Sequence, residues 1–104
     1  MDPWYKSPQW KRKREHILRR DGYMCQLSRR YGKNRPADMV HHIFPREDYP
    51  QFALCDWNLI SLTNSMHDTL HDRNTGQLTA AGLDLMRRTA VKNNIEIPPA
   101  PPGR

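Results

Sequence analysis

Four of the five histidines fall in two clusters, His41-His42 and His67-x3-His71, with Asn58 between them. Imidazole is the commonest metal ligand, and its ordinary pKa near neutrality also makes it the natural general base. On a helix, residues four apart stand one turn apart on the same face, so His67 and His71 can reach one ion. On a strand, neighbouring side chains point to opposite faces. If one of His41 and His42 binds metal, the other is directed elsewhere and stays free for proton transfer. A metal site beside an uncommitted base is the equipment of a hydrolase.

Composition bounds what can carry these residues. The chain has 104 residues, 37% of them hydrophobic, which predicts one small domain with a small core. No apolar run approaches the length of a bilayer span, so no membrane partner is expected. Met1-Asp2-Pro3-Trp4-Tyr5-Lys6 has no apolar stretch behind it and does not read as a signal peptide. Two cysteines, Cys25 and Cys55, do not make a disulfide scaffold, so a cytoplasmic, reducing setting is the expectation.

Charge is unevenly placed. The net charge is +6, but residues 1–35 hold eleven Lys and Arg against Asp2, Glu15 and Asp21, a local +8, which leaves −2 for the rest. For a charge run alone, a solvated helix face is the preferred reading. Beside a candidate hydrolytic site, a basic third becomes an electrostatic footprint for nucleic acid.

The elements that must position the histidines follow from caps and breakers. Ser7-Pro8 reads as an N-cap with proline at the first helical position, and Gly22 as the stop. Trp10, Ile17 and Leu18 form the inward stripe between them. Arg14 falls within it, either as an ordinary snorkelling arginine or with its head turned inward to a phosphate. Residues 31–36 are a breaker-rich loop. Met39–Ile43 reads as a strand ended by Pro45, and Leu59–Leu62 as a second. Residues 46–57 form the loop between them. Asn64 or Ser65 is expected to cap a helix that carries both His67 and His71 and stops near Asn74-Thr75-Gly76. Thr79 caps a last helix over 80–93, with Leu83, Met86 and Ala90 inward. The tail from Ile97 to Pro102 reads as an extended, polyproline-like end, more readily a disordered terminus than a docking segment.

This order of strand, loop, strand and helix, with histidines on the first strand and on the helix, resembles the ββα-metal motif of HNH endonucleases. Val40-His41-His42-Ile43, Asn58-Leu59-Ile60-Ser61-Leu62 and His67-x3-His71 carry the resemblance, and the Asn58-x8-His67 spacing is similar to that of colicin-type nuclease domains. Trp10-x3-Arg14-x2-Ile17-Leu18-x-Arg20-Asp21-Gly22-Tyr23-x-Cys25-Gln26 resembles the opening of small phage-encoded HNH proteins. The fold it implies is α+β: a ββα-metal (His-Me finger) core with flanking N- and C-terminal helices, spanning residues 1–96, followed by the Pro-rich tail 97–104.

The resemblance implies a metal-dependent DNA endonuclease of low sequence specificity. It assigns His42 as general base and His41, His67 and His71 as ligands of one divalent ion, Mg, Mn, Ni or Zn. Asn58, otherwise readable as a turn residue, would tie the loop between the strands and so orient the base. Lys11, Arg12, Arg14, Arg19, Arg20, Arg46 and Arg73 are candidate phosphate contacts, which give salt-dependent affinity with little sequence information. Phage kinship further implies host-cell cytoplasm and work beside a terminase large subunit in DNA packaging. Many phage HNH proteins carry a knuckle of two Cys-x2-Cys pairs. Here those positions read Cys25-x2-Ser28 and Thr63-x2-Met66, so no structural zinc is expected and Cys25 and Met66 should pack in its place. The alternative function is a non-catalytic, zinc-containing nucleic-acid-binding module, against which the adjacent His41-His42 pair argues. A basic scaffold with a recruiting Pro-rich tail leaves the histidine clusters unexplained.

Overall fold

The computed structural model describes residues 2–99. Helix α1, Pro8–Arg20, starts as the caps predict: the Ser7 hydroxyl accepts from Trp10 N at 3.2 Å. It ends in a Schellman turn, with Gly22 N donating to the Arg19 carbonyl and Tyr23 N to that of Leu18. Gly22 sits at φ +64°, where only glycine is unstrained. A short 3-10 turn, Pro3–Lys6, precedes α1, and helix α2, Gln26–Arg30, follows it.

Strands β1, Met39–His42, and β2, Leu59–Leu62, pair antiparallel, with His41 opposite Ile60 and His42 opposite Leu59. Because side chains alternate, Val40, His42, Leu59 and Ser61 share one face and Met39, His41, Ile60 and Leu62 the other. The first face packs on α1 through Trp10, Ile17 and Leu18. The second joins the main core, which includes Phe44, Leu70, Leu85, Met86 and Ala90.

A two-stranded sheet leaves an unpaired edge on each strand, and α1 closes the one on β2. Asp21, buried at the C-cap, accepts from Ser61 N at 3.0 Å, while Arg20 donates to the carbonyls of Leu59 at 2.6 Å and Asp56 at 2.7 Å. Arg20 also grips the Asp21 carboxylate through Nε and Nη2. These two side chains do for β2 what a third strand would do.

The helix expected to carry both His67 and His71 departs from expectation. Thr63 rather than Asn64 or Ser65 caps α3, accepting from Met66 N at 3.1 Å. The helix covers only Asn64–Asp68, so it carries His67 and not His71. The Asp72 carboxylate accepts from Asn74 N and Thr75 N, an Asx-type turn that competes with helix propagation. His71 instead pairs with Leu78 in an isolated antiparallel bridge.

Helix α4, Ala80–Lys92, is capped by Thr79, with Leu85, Met86 and Ala90 buried and Leu83 partly so. Ile97 packs on the main core, and the Pro98 carbonyl accepts from Tyr49 Oη at 3.1 Å, so the start of the Pro-rich tail is attached to the domain. The rest of the expected extended tail, residues 100–104, lies outside the described residues. No helix among the described residues is long and apolar enough to cross a membrane.

Gly82 lets α4 close on the His71 segment. A Cβ there would clash with the Leu70 carbonyl oxygen and lie 2.9 Å from Leu78 Cδ2. In an open helix, Gly→Ala stabilises by about 1 kcal/mol. Here Gly82→Ala is expected to destabilise by about 1–3 kcal/mol through overpacking, read as a fall in thermal midpoint; an unchanged or raised midpoint would contradict this packing.

Candidate active site

β1 brings the two histidine clusters together and then divides them. His41 turns to the main-core face, with its ring centroid 5.2 Å from both the His67 and His71 rings, which are 4.9 Å from each other. One ring nitrogen from each lies within 4.8 Å of the others. Among the described residues this is the group of His, Cys, Asp and Glu side chains arranged to hold a metal ion.

The residues fit such an ion. His41 Nε2 is buried and has no hydrogen-bond partner, an arrangement costly for a polar atom unless a ligand completes it. His71 Nδ1 lies 3.2 Å from the Gly76 carbonyl, which fixes Nδ1 as the protonated nitrogen and leaves the Nε2 lone pair free for an ion. Burial, and then the neighbouring His67, His71 and His42, hold His41 well below the usual histidine pKa. Burial and His71 lower His67 as well, against a smaller opposing effect of Asp68. Both shifts favour the neutral imidazole that a metal requires.

His42 turns to the α1 face and into an aromatic enclosure. Its ring stacks on Trp10 at 5.0 Å and 24°, with Trp4 at 5.6 Å and Tyr5 at 6.2 Å. Nε2 lies 2.9 Å from the Ala53 carbonyl. A carbonyl can only accept, so Nε2 carries the proton and Nδ1 keeps its lone pair. Burial lowers the His42 pKa, with the Ala53 bond opposing it.

Asn58, completely buried at the entry to β2, holds the loop that His42 leans on. Its Oδ1 accepts from Phe44 N at 2.7 Å, and its Nδ2 donates to the carbonyls of Phe44 and Phe52, each at 3.1 Å. Phe52 adjoins Ala53, so the asparagine reaches His42 through one residue of backbone.

His41, His42, His67 and His71 all line one open cleft of about 800 Å³, with Arg14 and Arg46 at its walls. The Arg46 guanidinium lies over the Trp4 and Tyr5 rings, 4.6 and 5.1 Å from their centroids, and pairs with Asp2. Lys11, Arg12, Arg19 and Arg73 are exposed but do not line the cleft. The exposed Arg20 guanidinium also bonds the Asp21 carboxylate and the Asp56 and Leu59 carbonyls, and so braces the sheet. Trp4, Tyr5 and the carbonyls of Ala53 and Gly76 were not foreseen. The carbonyls leave no trace in a side-chain pattern, and the aromatic contacts are distant in sequence.

Around the positions compared with a zinc knuckle, Cys25 is fully buried in the main core, its thiol 3.8 Å from Thr63 Oγ1, and Met66 packs on the same cluster.

No family model and no curated protein matches the chain. Among solved structures it is similar to the HNH endonuclease of the deep-sea thermophilic bacteriophage GVE2, crystallised with a manganese ion. The two are 27% identical with a TM-score of 0.61, and the match covers 88% of this chain and 79% of that one. The α+β fold and the sequence likeness to that enzyme support an HNH-type nuclease.

Proposed function

We propose that the chain is a metal-dependent DNA endonuclease that hydrolyses phosphodiester bonds with His42 as general base and one divalent ion held by His41, His67 and His71. One observation carries this reading: adjacent histidines on β1 face opposite ways, one toward two further imidazoles and one toward none, yet all four line the same cleft. When bound, the ion would supply Lewis-acid stabilisation of charge on the phosphate and the departing oxygen. Manganese stands in the GVE2 enzyme's crystal structure; three imidazoles also suit Mg, Ni or Zn to different degrees, and no second, structural zinc is part of the reading.

His42 accepts a proton from the attacking water at Nδ1. Its depressed pKa keeps that nitrogen free at neutral pH, and the Ala53 carbonyl fixes the tautomer. Trp10 holds the ring plane by stacking, and Asn58 holds the loop that presents Ala53. Arg14 and Arg46, at the cleft wall, bind phosphate oxygens, and exposed Lys11, Arg12, Arg19 and Arg73 add contacts to backbone phosphates beyond it. Phosphate contacts of this kind position a duplex without reading its sequence, which is the basis for low specificity. A place beside a terminase large subunit in packaging, in host cytoplasm, rests on the likeness to a bacteriophage enzyme.

Plasmid cleavage with each divalent ion, comparing wild type with His42→Ala, tests the base. The expected outcome is a loss of about 10²–10⁴-fold in rate with metal affinity retained. Full activity in the variant would refute the assignment, and no cleavage by wild type with any ion would favour a zinc-containing binding module.

The ligand set is tested by thermal unfolding. At 100 times its Kd, a bound ion adds about 2.7 kcal/mol, which should raise the midpoint by about 10 °C or more in a domain of this size. His67→Ala and His71→Ala should each remove most of that rise. An undiminished rise in either variant would place the ion elsewhere.

A further inference from the structure

The structure divides the basic N-terminal third into two surfaces. On α1, much of the charge is already partnered: Lys13 pairs with Asp56, Arg19 with Glu15, and Arg20 with Asp21. The second surface is the end of α2 and the loop after it, where Arg29, Arg30, Lys33 and Arg35 are all exposed and form no ion pair or side-chain hydrogen bond among the described residues. None of these four lines the cleft. Residues 29–35 contain no acid, and the acids flanking them in sequence are occupied: Asp21 by Arg20 and Ser61 N, Asp38 by Asn64 N at 2.9 Å.

This charge is displayed on a fixed backbone. α2 ends in a second Schellman turn, with Gly32 N on the Arg29 carbonyl and Lys33 N on that of Ser28, and Gly32 at φ +74°. Beyond it, Cys25 N donates to the Arg35 carbonyl at 2.8 Å, and Pro36 bridges to Met24. Four like charges within seven residues repel one another, so the fold gains nothing from gathering them. Among them stands Tyr31, 73% exposed. Unpaired cations beside an exposed tyrosine hydroxyl, on a backbone already ordered, are the composition of a phosphate-backbone contact.

We propose that the Arg29–Arg35 loop is a second contact surface for the substrate, gripping the phosphate backbone of duplex DNA away from the cleft. The inference rests on the reading of the chain as a DNA endonuclease. Its dimensions allow it: the longest extent of the domain is 39 Å, and one turn of duplex is about 34–36 Å. The loop and the cleft are therefore separated by no more than about one turn of duplex.

The test is equilibrium binding of a 20-base-pair duplex to the full chain, without added divalent ion, over a range of KCl concentrations. Arg29→Gln/Arg30→Gln and Lys33→Gln/Arg35→Gln are compared with wild type and with Arg87→Gln/Lys92→Gln on α4. Each lost phosphate contact flattens the slope of log K against log salt by about 0.9. Each loop variant should lose about 1–2 in slope and bind at least several-fold more weakly at low salt, while the α4 variant keeps the wild-type slope. Loop variants with the wild-type slope, or a loss no greater than in the α4 variant, would overturn the proposal. Failure of the nuclease reading shows separately, as absence of plasmid cleavage by the wild type with every ion.

Discussion

Everything in this molecule depends on the alternation of one four-residue strand. β1 sends His41 to the main-core face and His42 to the α1 face, so two imidazoles joined by a single peptide bond meet different chemistry. A slip of one residue in the pairing with β2 would exchange their surroundings. The register is therefore the most constrained feature of the fold, and the surrounding structure is arranged to hold it. Asn58 locks the loop at one end of the pair through three hydrogen bonds. Arg20 and Asp21 occupy the outer edge of β2. A sheet of two strands could not secure its register alone.

The same burial that stabilises the sheet prepares its histidines. In water an imidazole is partly protonated near neutral pH; the pKa values of His41, His42 and His67 are all lowered, with desolvation the largest cause in each. A neutral ring keeps the lone pair that either metal binding or proton abstraction requires. What distinguishes the two sides is the partner. Gathered imidazoles and an unsatisfied Nε2 surround His41, whereas His42 has a backbone carbonyl and an aromatic wall. The distinction comes from geometry alone, since both residues are the same amino acid.

Much of this was legible in the sequence because it is written locally. The Ser7-Pro8 start and Gly22 stop of α1, the Thr79 cap of α4, and the alternation at His41-His42 each follow from neighbours a few residues apart. Expectation failed where a local signal met a competing one. The His67-x3-His71 spacing reads as a helix, but the Asp72 carboxylate captures two backbone amides just beyond it, and His71 reaches the cluster from a bridge to Leu78. Arg20 looked like one more cation of a basic helix. Its bonds to the Leu59 and Asp56 carbonyls, nearly forty residues away, could not be read there. Helix α2 escaped notice because five residues, two of them arginine, carry no readable apolar period.

The central claim is that three imidazoles, His41, His67 and His71, hold a single ion while His42 stays off it. X-ray absorption of the protein loaded with one equivalent of Zn²⁺ or Ni²⁺ measures this directly. Multiple-scattering features of three imidazoles per ion, no sulfur bound to it, and a spectrum unchanged by His42→Ala are expected. A thiolate ligand, or a loss of one imidazole in that variant, would contradict it.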